Sequence, residues 1–397
     1  PSLANAQSTW QLAGQLGTGR TLHTSSLLTT TGEVLVVGGY DDSGYLDSVE
    51  IYDPKTKATR QAAPMSTARH SHTAHALPDG DILVVGGYGE TNYLPSVERF
   101  NTDAATWAAV APMAEARIGH AATMLEDGKL LVSGGYNNGG MVKSLELYDP
   151  ALDLWSTVAE MSHARARHSA TLLEDGSVVL AGGFDGEDAL DLVERYDPAS
   201  RLVSVEAPLQ SARWFHGASA LPDGQVLIAG GQDLAGALRS TEVLDPIRGQ
   251  SNSGPALDNP RTQPAVTLDC DGAIVVSGGF SGDFPVVSSQ RLLPAASSFS
   301  APENMVFGRV EHTALLLEDC SILALGGRSE NTYVTELEVW TQEEVPPAAS
   351  DGDVEGCAVS RSGPDPRTGL TVCAIALLGF GFLVRRSLSR ELCNDLY

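Results

Sequence analysis

The chain has 397 residues, of which 42% are hydrophobic and 19% charged, so it can bury a large core and is not disordered in general. Its 41 glycines and 21 prolines follow no collagen period and point to many short strands and tight turns. Four lysines and a formal charge of -25 set it against phosphate backbones and anionic lipid, which excludes nucleic acid as a partner.

In chain order the first predicted element is a strand at residues 8–14, around Trp10. Arg20 and His23 follow as Arg-x-x-His, then a short half-apolar segment, then an apolar run that closes in Gly38-Gly39. A polar loop leads to Ser48–Pro54, which alternates as a strand does and stops at Asp-Pro. The whole pattern then repeats. Double glycines begin at Gly38, Gly86, Gly134, Gly182, Gly230, Gly278 and Gly326, always 48 residues apart. Glu50, Glu98, Glu146, Glu194, Glu242 and Glu338 keep the same step, with Gln290 in the sixth place. Arg-x-x-His recurs at Arg69, Arg117, Arg165, Arg213 and Arg309, while the sixth copy pairs Arg261 with Pro264. Seven units follow from this period.

Each unit reads as four strands. Asp-Gly between the first two apolar runs is a hairpin signal, at Gly80, Gly128, Gly176 and Gly224. The run into the double glycine is continuously apolar, as in a strand covered on both faces. The Val-Glu segment supplies the third strand, and Trp107, Trp155 and Phe299 occupy matching places in the fourth. Trp10 precedes Arg20 by the ten residues that separate Trp107 from Arg117, whereas the last unit stops near Trp340. The N-terminal strand therefore completes the seventh unit and closes a ring, which protects the sheet edges. The expected fold is all-β: a seven-bladed propeller of four-stranded antiparallel blades over residues 8–343.

The double glycine followed by an aromatic (Tyr40, Tyr88, Tyr136, Phe184, Phe280), the Val-Glu-x-Tyr-Asp-Pro segment and the later Trp resemble the kelch-repeat propellers, within the galactose oxidase-like central domain superfamily. Gln232 and Arg328 after the glycines, and the degenerate sixth unit, depart from that pattern. In kelch domains that bind acidic peptides the corresponding arginines line the channel mouth. The resemblance thus makes Arg20, Arg69, Arg117, Arg165, Arg213, Arg261 and Arg309 candidate ligand contacts, with a planar fork suited to carboxylates. An ion pair with the in-phase Glu, required once per blade, is the competing reading of the same residues. Trp214 and Phe215, between Arg213 and His216, are further candidates at the mouth.

Antiparallel topology places the loop between strands two and three on the same face as the blade-to-blade connection, and the Asp-Gly hairpins on the other. Loops on the first face differ from blade to blade, and Tyr45, Tyr93 and Tyr333 share a tip position suited to stacking on a sugar or anchoring a peptide. No zinc-protease motif, nucleophile elbow or Cys-x-x-Cys pair is present. No catalytic residue, metal ligand or cofactor is therefore expected; Asp41-Asp42 and Asp185–Asp188 offer oxygens to calcium but lack a loop spacing that holds it. The resemblance also admits an alternative, a secreted carbohydrate-active or oxidative enzyme. The oxidase version needs Tyr, His and a Cys crosslinked to Tyr, and no Cys falls on the loop face.

Cys270 and Cys320 lie in the first hairpin turns of neighbouring units, and either pair in an oxidising compartment or stay separate thiols. Residues 344–369 form an acidic Pro/Ala/Ser linker containing Cys357; residues 370–384 carry no charge; residues 385–397 begin with Arg385 and Arg386. The uncharged stretch, about 22 Å as a helix, is short of the ~30 Å hydrocarbon core. Gly356-Cys357 with this stretch resembles the MYXO-CTERM tails of Gram-negative bacteria, which implies Cys357 as a lipid-anchoring site. These features predict an exported, surface-anchored, monomeric propeller, attached to membrane by its tail alone, that binds a protein or glycan without enzymatic turnover.

Overall fold

A computed structural model describes residues 8–342. Cys357, the linker, the apolar stretch and the basic end lie outside the described residues. No helix occurs among the described residues, which form seven four-stranded antiparallel blades. The first blade runs Thr24–Leu28, Glu33–Val37, Val49–Asp53 and Ala58–Ala62, from inner to outer strand. The seventh is built from Thr313–Leu316, Ile322–Leu325 and Glu336–Gln342, and its outer strand is Ser8–Gln15 from the other end of the chain. Trp10 pairs in register with Trp340, and a bulge follows between Leu12 and Gly14.

The second strand of each blade is buried along its length, apart from Glu33 at the start of the first, which explains its apolar runs, Ile82–Val85 and Val178–Ala181 among them. Seven apolar clusters result, one in each interface between adjacent blades. Inner strands are half-buried, carry mainly small side chains, and touch their neighbours all round the ring, so they wall a narrow axial channel.

The double glycine is required by geometry. Gly38 and Gly39 sit at φ of +59° and +103°, and a Cβ on either would lie 2.6 Å from a backbone oxygen, that of Arg69 or of Thr21. That crowding is how the end of the second strand meets the connections entering its own blade and the next. On the opposite face, the turns containing Cys270 and Cys320 are joined by a disulfide with Cα atoms 5.6 Å apart. This bond links blades six and seven.

Candidate functional site

All seven repeated arginines, expected at the channel mouth, are instead completely buried. Arg20 donates from Nη1 to the carbonyls of Gly38 (2.8 Å) and Ser48 (3.0 Å), and from Nη2 to Glu50 Oε1 (2.7 Å). Glu50 in turn accepts the backbone N–H groups of Gly17 and Thr18, in the connection entering the blade. Arg69–Glu98, Arg117–Glu146, Arg165–Glu194, Arg213–Glu242 and Arg309–Glu338 repeat the clasp. Burial pulls these guanidiniums below their ordinary pKa and the paired carboxylate opposes the shift. A fork enclosed by its own blade has no face left for a ligand, so the arginines hold the scaffold and do not form the recognition surface.

The blade histidines are equally structural. His72 Nε2 hydrogen-bonds with Thr24 Oγ1 of the preceding blade (2.8 Å), and His120–Thr73, His216–Ser169 and His23–Thr313 repeat the link, the last across the ring closure. Burial pushes His23, His120, His216 and His312 down to about 3, with the adjacent arginines adding to the shift, so these rings stay neutral.

At the mouth itself stand the residues in the third place of each Arg-x-x-His. Leu22, Ser71, Arg167, Phe215, Gln263 and Glu311 all adopt left-handed φ between 50° and 59°, and Gly119 completes the set at 64°. Backbone hydrogen bonds from Ser71 to Leu22, Arg167 to Gly119, Phe215 to Arg167 and Gln263 to Phe215 tie successive blades there (2.8–3.1 Å). A non-glycine residue in this region costs about 1–2 kcal/mol, and the repeated cross-blade bonds hold it in place. The sequence signal was available: the one position in the motif that differs in every blade.

Arg167 is the cation of this ring. Its guanidinium lies 4.7 Å from the Phe215 ring centroid and across Gly119, where a Cβ would come within 2.9 Å of Nε. Its Nε is buried without a partner, and it forms no ion pair among the described residues. Phe215 is half-buried, whereas Trp214 is buried against Phe184 with ring centroids 5.0 Å apart. Trp214 therefore packs in the body and does not face the mouth.

The tip tyrosines are half-buried members of a continuous aromatic arc. Tyr40 meets Tyr45 edge-on (5.4 Å), Tyr45 stacks on His70 (5.2 Å, 13°), and His70 contacts Tyr88 (5.9 Å). Tyr88 then meets Tyr93 (5.0 Å) and Tyr93 meets Tyr136 (5.6 Å), so the arc spans blades one to three. Tyr333 of blade seven is likewise half-buried, and burial followed by the charge of Asp42 raises its pKa. Burial, followed by the charge of Arg167, lowers His70 to about 4, which keeps it an uncharged ring. Of the residues in this arc the sequence reading named Tyr45 and Tyr93 as candidates, and it did not single out His70 or the part of Tyr40, Tyr88 and Tyr136. Tyr40, Tyr88 and Tyr136 hold one place in the repeat and His70 another, and they meet only through blade packing.

The carboxylates of the Asp-rich loops close their own turns: Asp41 accepts Ser43 N–H (2.7 Å) and Asp185 accepts those of Glu187 and Asp188. Among the described residues no group of three or more His, Cys, Asp or Glu is placed to hold a metal ion. Among the described residues the two cysteines, Cys270 and Cys320, are joined to each other on the hairpin face and offer no sulfur to a Tyr crosslink of the copper radical kind.

The Kelch motif is matched at residues 23–66, 69–114 and 121–162, in the first three blades. Among solved structures, the chain is similar to a novel fungal alcohol oxidase with catalytic diversity among the AA5 family, in complex with copper. The TM-score is 0.69 at 18% identity, over 84% of this chain and 76% of that one. It is also similar to the structure of YjhT, with a TM-score of 0.58 at 17% identity, over 73% of this chain and 99% of that one. At such identities the likeness is one of fold. No curated protein matches the sequence. Seven blades of the same pattern make this chain a seven-bladed β-propeller, and its first three blades carry the Kelch motif.

Proposed function

We propose that this propeller is a binding module that takes a protein or glycan on its mouth face, without turnover and as a monomer. The aromatic arc carries the reading. Six rings in mutual contact across three blades, beside the loops that vary most, form a preorganised anchor of the kind that dominates interface energetics. Arg167, its guanidinium over the Phe215 ring and without an ion pair among the described residues, adds one cation to the rim. The disulfide supports export, since such bonds persist in oxidising compartments. In this reading Cys357 and the tail behind it anchor the protein at the cell surface.

The test is retention of the purified full chain on envelope and extracellular material from the producing cells. Tyr88→Ala and Arg167→Ala should each weaken retention about tenfold while leaving thermal unfolding near that of the parent. Retention unchanged in both variants would refute the mouth-face assignment, and oxidation of alcohols or sugars by the purified chain would turn the reading toward the enzyme alternative. Fractionation of cells carrying Cys357→Ala checks the anchor: the parent should partition with membrane and the variant should not.

A further inference from the structure

We propose that the seam between blades two and three on the mouth face is a binding site for a neutral saccharide. This inference rests on the mouth-face reading and specifies the chemistry of one place on it. A cavity of about 520 Å³ opens there between the loop tips, within the roughly 300–1,000 Å³ typical of small-molecule sites. Leu94, Pro95 and Ala116 supply apolar lining, Tyr93 an aromatic wall, and Asn92, Asn137 and Asn138 three carboxamides. None of the seven is charged, on a chain whose formal charge is -25.

The polar groups are preorganised. Tyr93 is held edge-on by Tyr88 and by Tyr136, at interplanar angles of 79° and 70°. Burial and these two neighbours raise its pKa, so the hydroxyl stays protonated and able to donate. Asn137 donates from Nδ2 to the Ala116 carbonyl (2.8 Å) and accepts Gly139 N–H at Oδ1 (2.7 Å). That fixes the turn presenting Asn138, whose exposed carboxamide makes no hydrogen bond with the described residues. Asn92 uses one amide hydrogen on Thr91 Oγ1 (3.0 Å) and its backbone carbonyl accepts Gly89 N–H (2.9 Å), which leaves its side-chain Oδ1 to a ligand.

The other blades act as internal comparisons. The positions of Asn137 and Asn138 are occupied by Asp41 and Asp42 in blade one, and the second of them is Glu90 in blade two and Glu330 in blade seven. Blade three keeps the shape of the Asp pair and removes its charge. A carboxylate only accepts hydrogen bonds, whereas a carboxamide donates and accepts, which matches a hydroxyl that does both. Carboxamides around one aromatic wall and a small apolar patch therefore suit a polyol with a C–H face. They do not suit an anion, which meets no cation in the seam, or a peptide anchor, which needs a deep apolar pocket.

The experiment titrates the full chain, by saturation-transfer NMR and calorimetry, with neutral gluco-, manno-, galacto- and xylo-oligosaccharides, with uronic-acid oligosaccharides, and with an uncharged unstructured peptide. At least one neutral oligosaccharide should bind the parent. Tyr93→Ala and Asn138→Asp should each weaken that binding about tenfold, Asn138→Gln should retain most of it, and Leu234→Ala, at the equivalent tip of blade five, should leave it unchanged. Asn138 is exposed, so its variants keep the fold; matching thermal unfolding checks this. The proposal is overturned if no neutral saccharide binds, if only the charged oligosaccharides or the peptide bind, or if binding is indifferent to Tyr93 and Asn138. Retention on envelope material separates the two readings. If it persists and still depends on Tyr88 while no saccharide binds, the saccharide site falls and the mouth-face reading stands; if retention is absent as well, both fall.

Discussion

In the sixth blade Gln290 stands where the other six carry glutamate, and Asp258 supplies the missing carboxylate to Arg261 from the connecting loop, 2.5 Å away. Gln290 keeps part of the clasp by accepting the Asp258 backbone N–H (2.7 Å). A buried guanidinium left without a counter-charge costs about 3–5 kcal/mol. Asp258→Asn should therefore lower unfolding stability by about 3 kcal/mol, toward the low end because Asp258 is partly exposed. Gln290→Glu in the same chain should restore most of the loss by re-creating the pair of the other blades. Urea titration of the parent, single and double variants reads both effects; failure of the rescue would show that Arg261 does not depend on charge compensation. The repeat made this arginine conspicuous in the sequence, but its replacement partner breaks the 48-residue period and was legible only in three dimensions.

Among the elements, the strand Ser8–Gln15 matters most for integrity, because it alone joins the two ends of the described body. Trp10 is buried, donates from Nε1 to Ser289 Oγ of blade six (2.8 Å) and packs in the interface between blades six and seven. Tyr52 of blade one donates its hydroxyl to the Ala13 carbonyl (2.7 Å), so the strand is held from both sides. Trp10→Ala should cost about 3–5 kcal/mol, more than Trp107→Ala, since Trp107 is only half-buried at the matching place in blade two. Thermal unfolding with near-ultraviolet circular dichroism measures the difference, and equal losses would mean that ring closure adds nothing to local packing. One seam lacks the common staple: Pro264 replaces the blade histidine and Gly217 replaces its hydroxyl partner between blades five and six. There the inner strands pack directly, Val266 lying where a side chain on Gly217 would be.

At the scale of the whole molecule the six blade histidines, together with His70 and His75, which burial lowers to about 4, act as a proton-linked ensemble. In the unfolded chain each takes a proton below about pH 6.5, while in the fold His23, His120, His216 and His312 are held near 3, His70 and His75 near 4, and His72 and His168 well below their ordinary value. The unfolded state therefore binds more protons as the medium is acidified, and stability falls between about pH 6.5 and 3 while staying level above that window. Each histidine contributes about 1.4 kcal/mol per pH unit within it. Unfolding followed from about pH 7.5 to 5 should show this decline, and His23→Gln should make it shallower by about one proton. A decline of the same slope in the variant would mean that His23 is already charged in the fold.

The amino-acid sequence alone determined the seven-bladed ring, because a strict 48-residue period repeats turn glycines and apolar runs whose backbone consequences are local. The ring's closure by the N-terminal strand was legible for the same reason, in the spacing of Trp10 from Arg20. Which polar residues are available to a ligand was decided by tertiary structure. An arginine looks the same in sequence whether it faces water or a buried glutamate; the burial of Arg20 and its six counterparts, the half-buried seat of Arg167 over Phe215, and the meeting of His70 with tyrosines from two blades all depend on how neighbouring sheets pack.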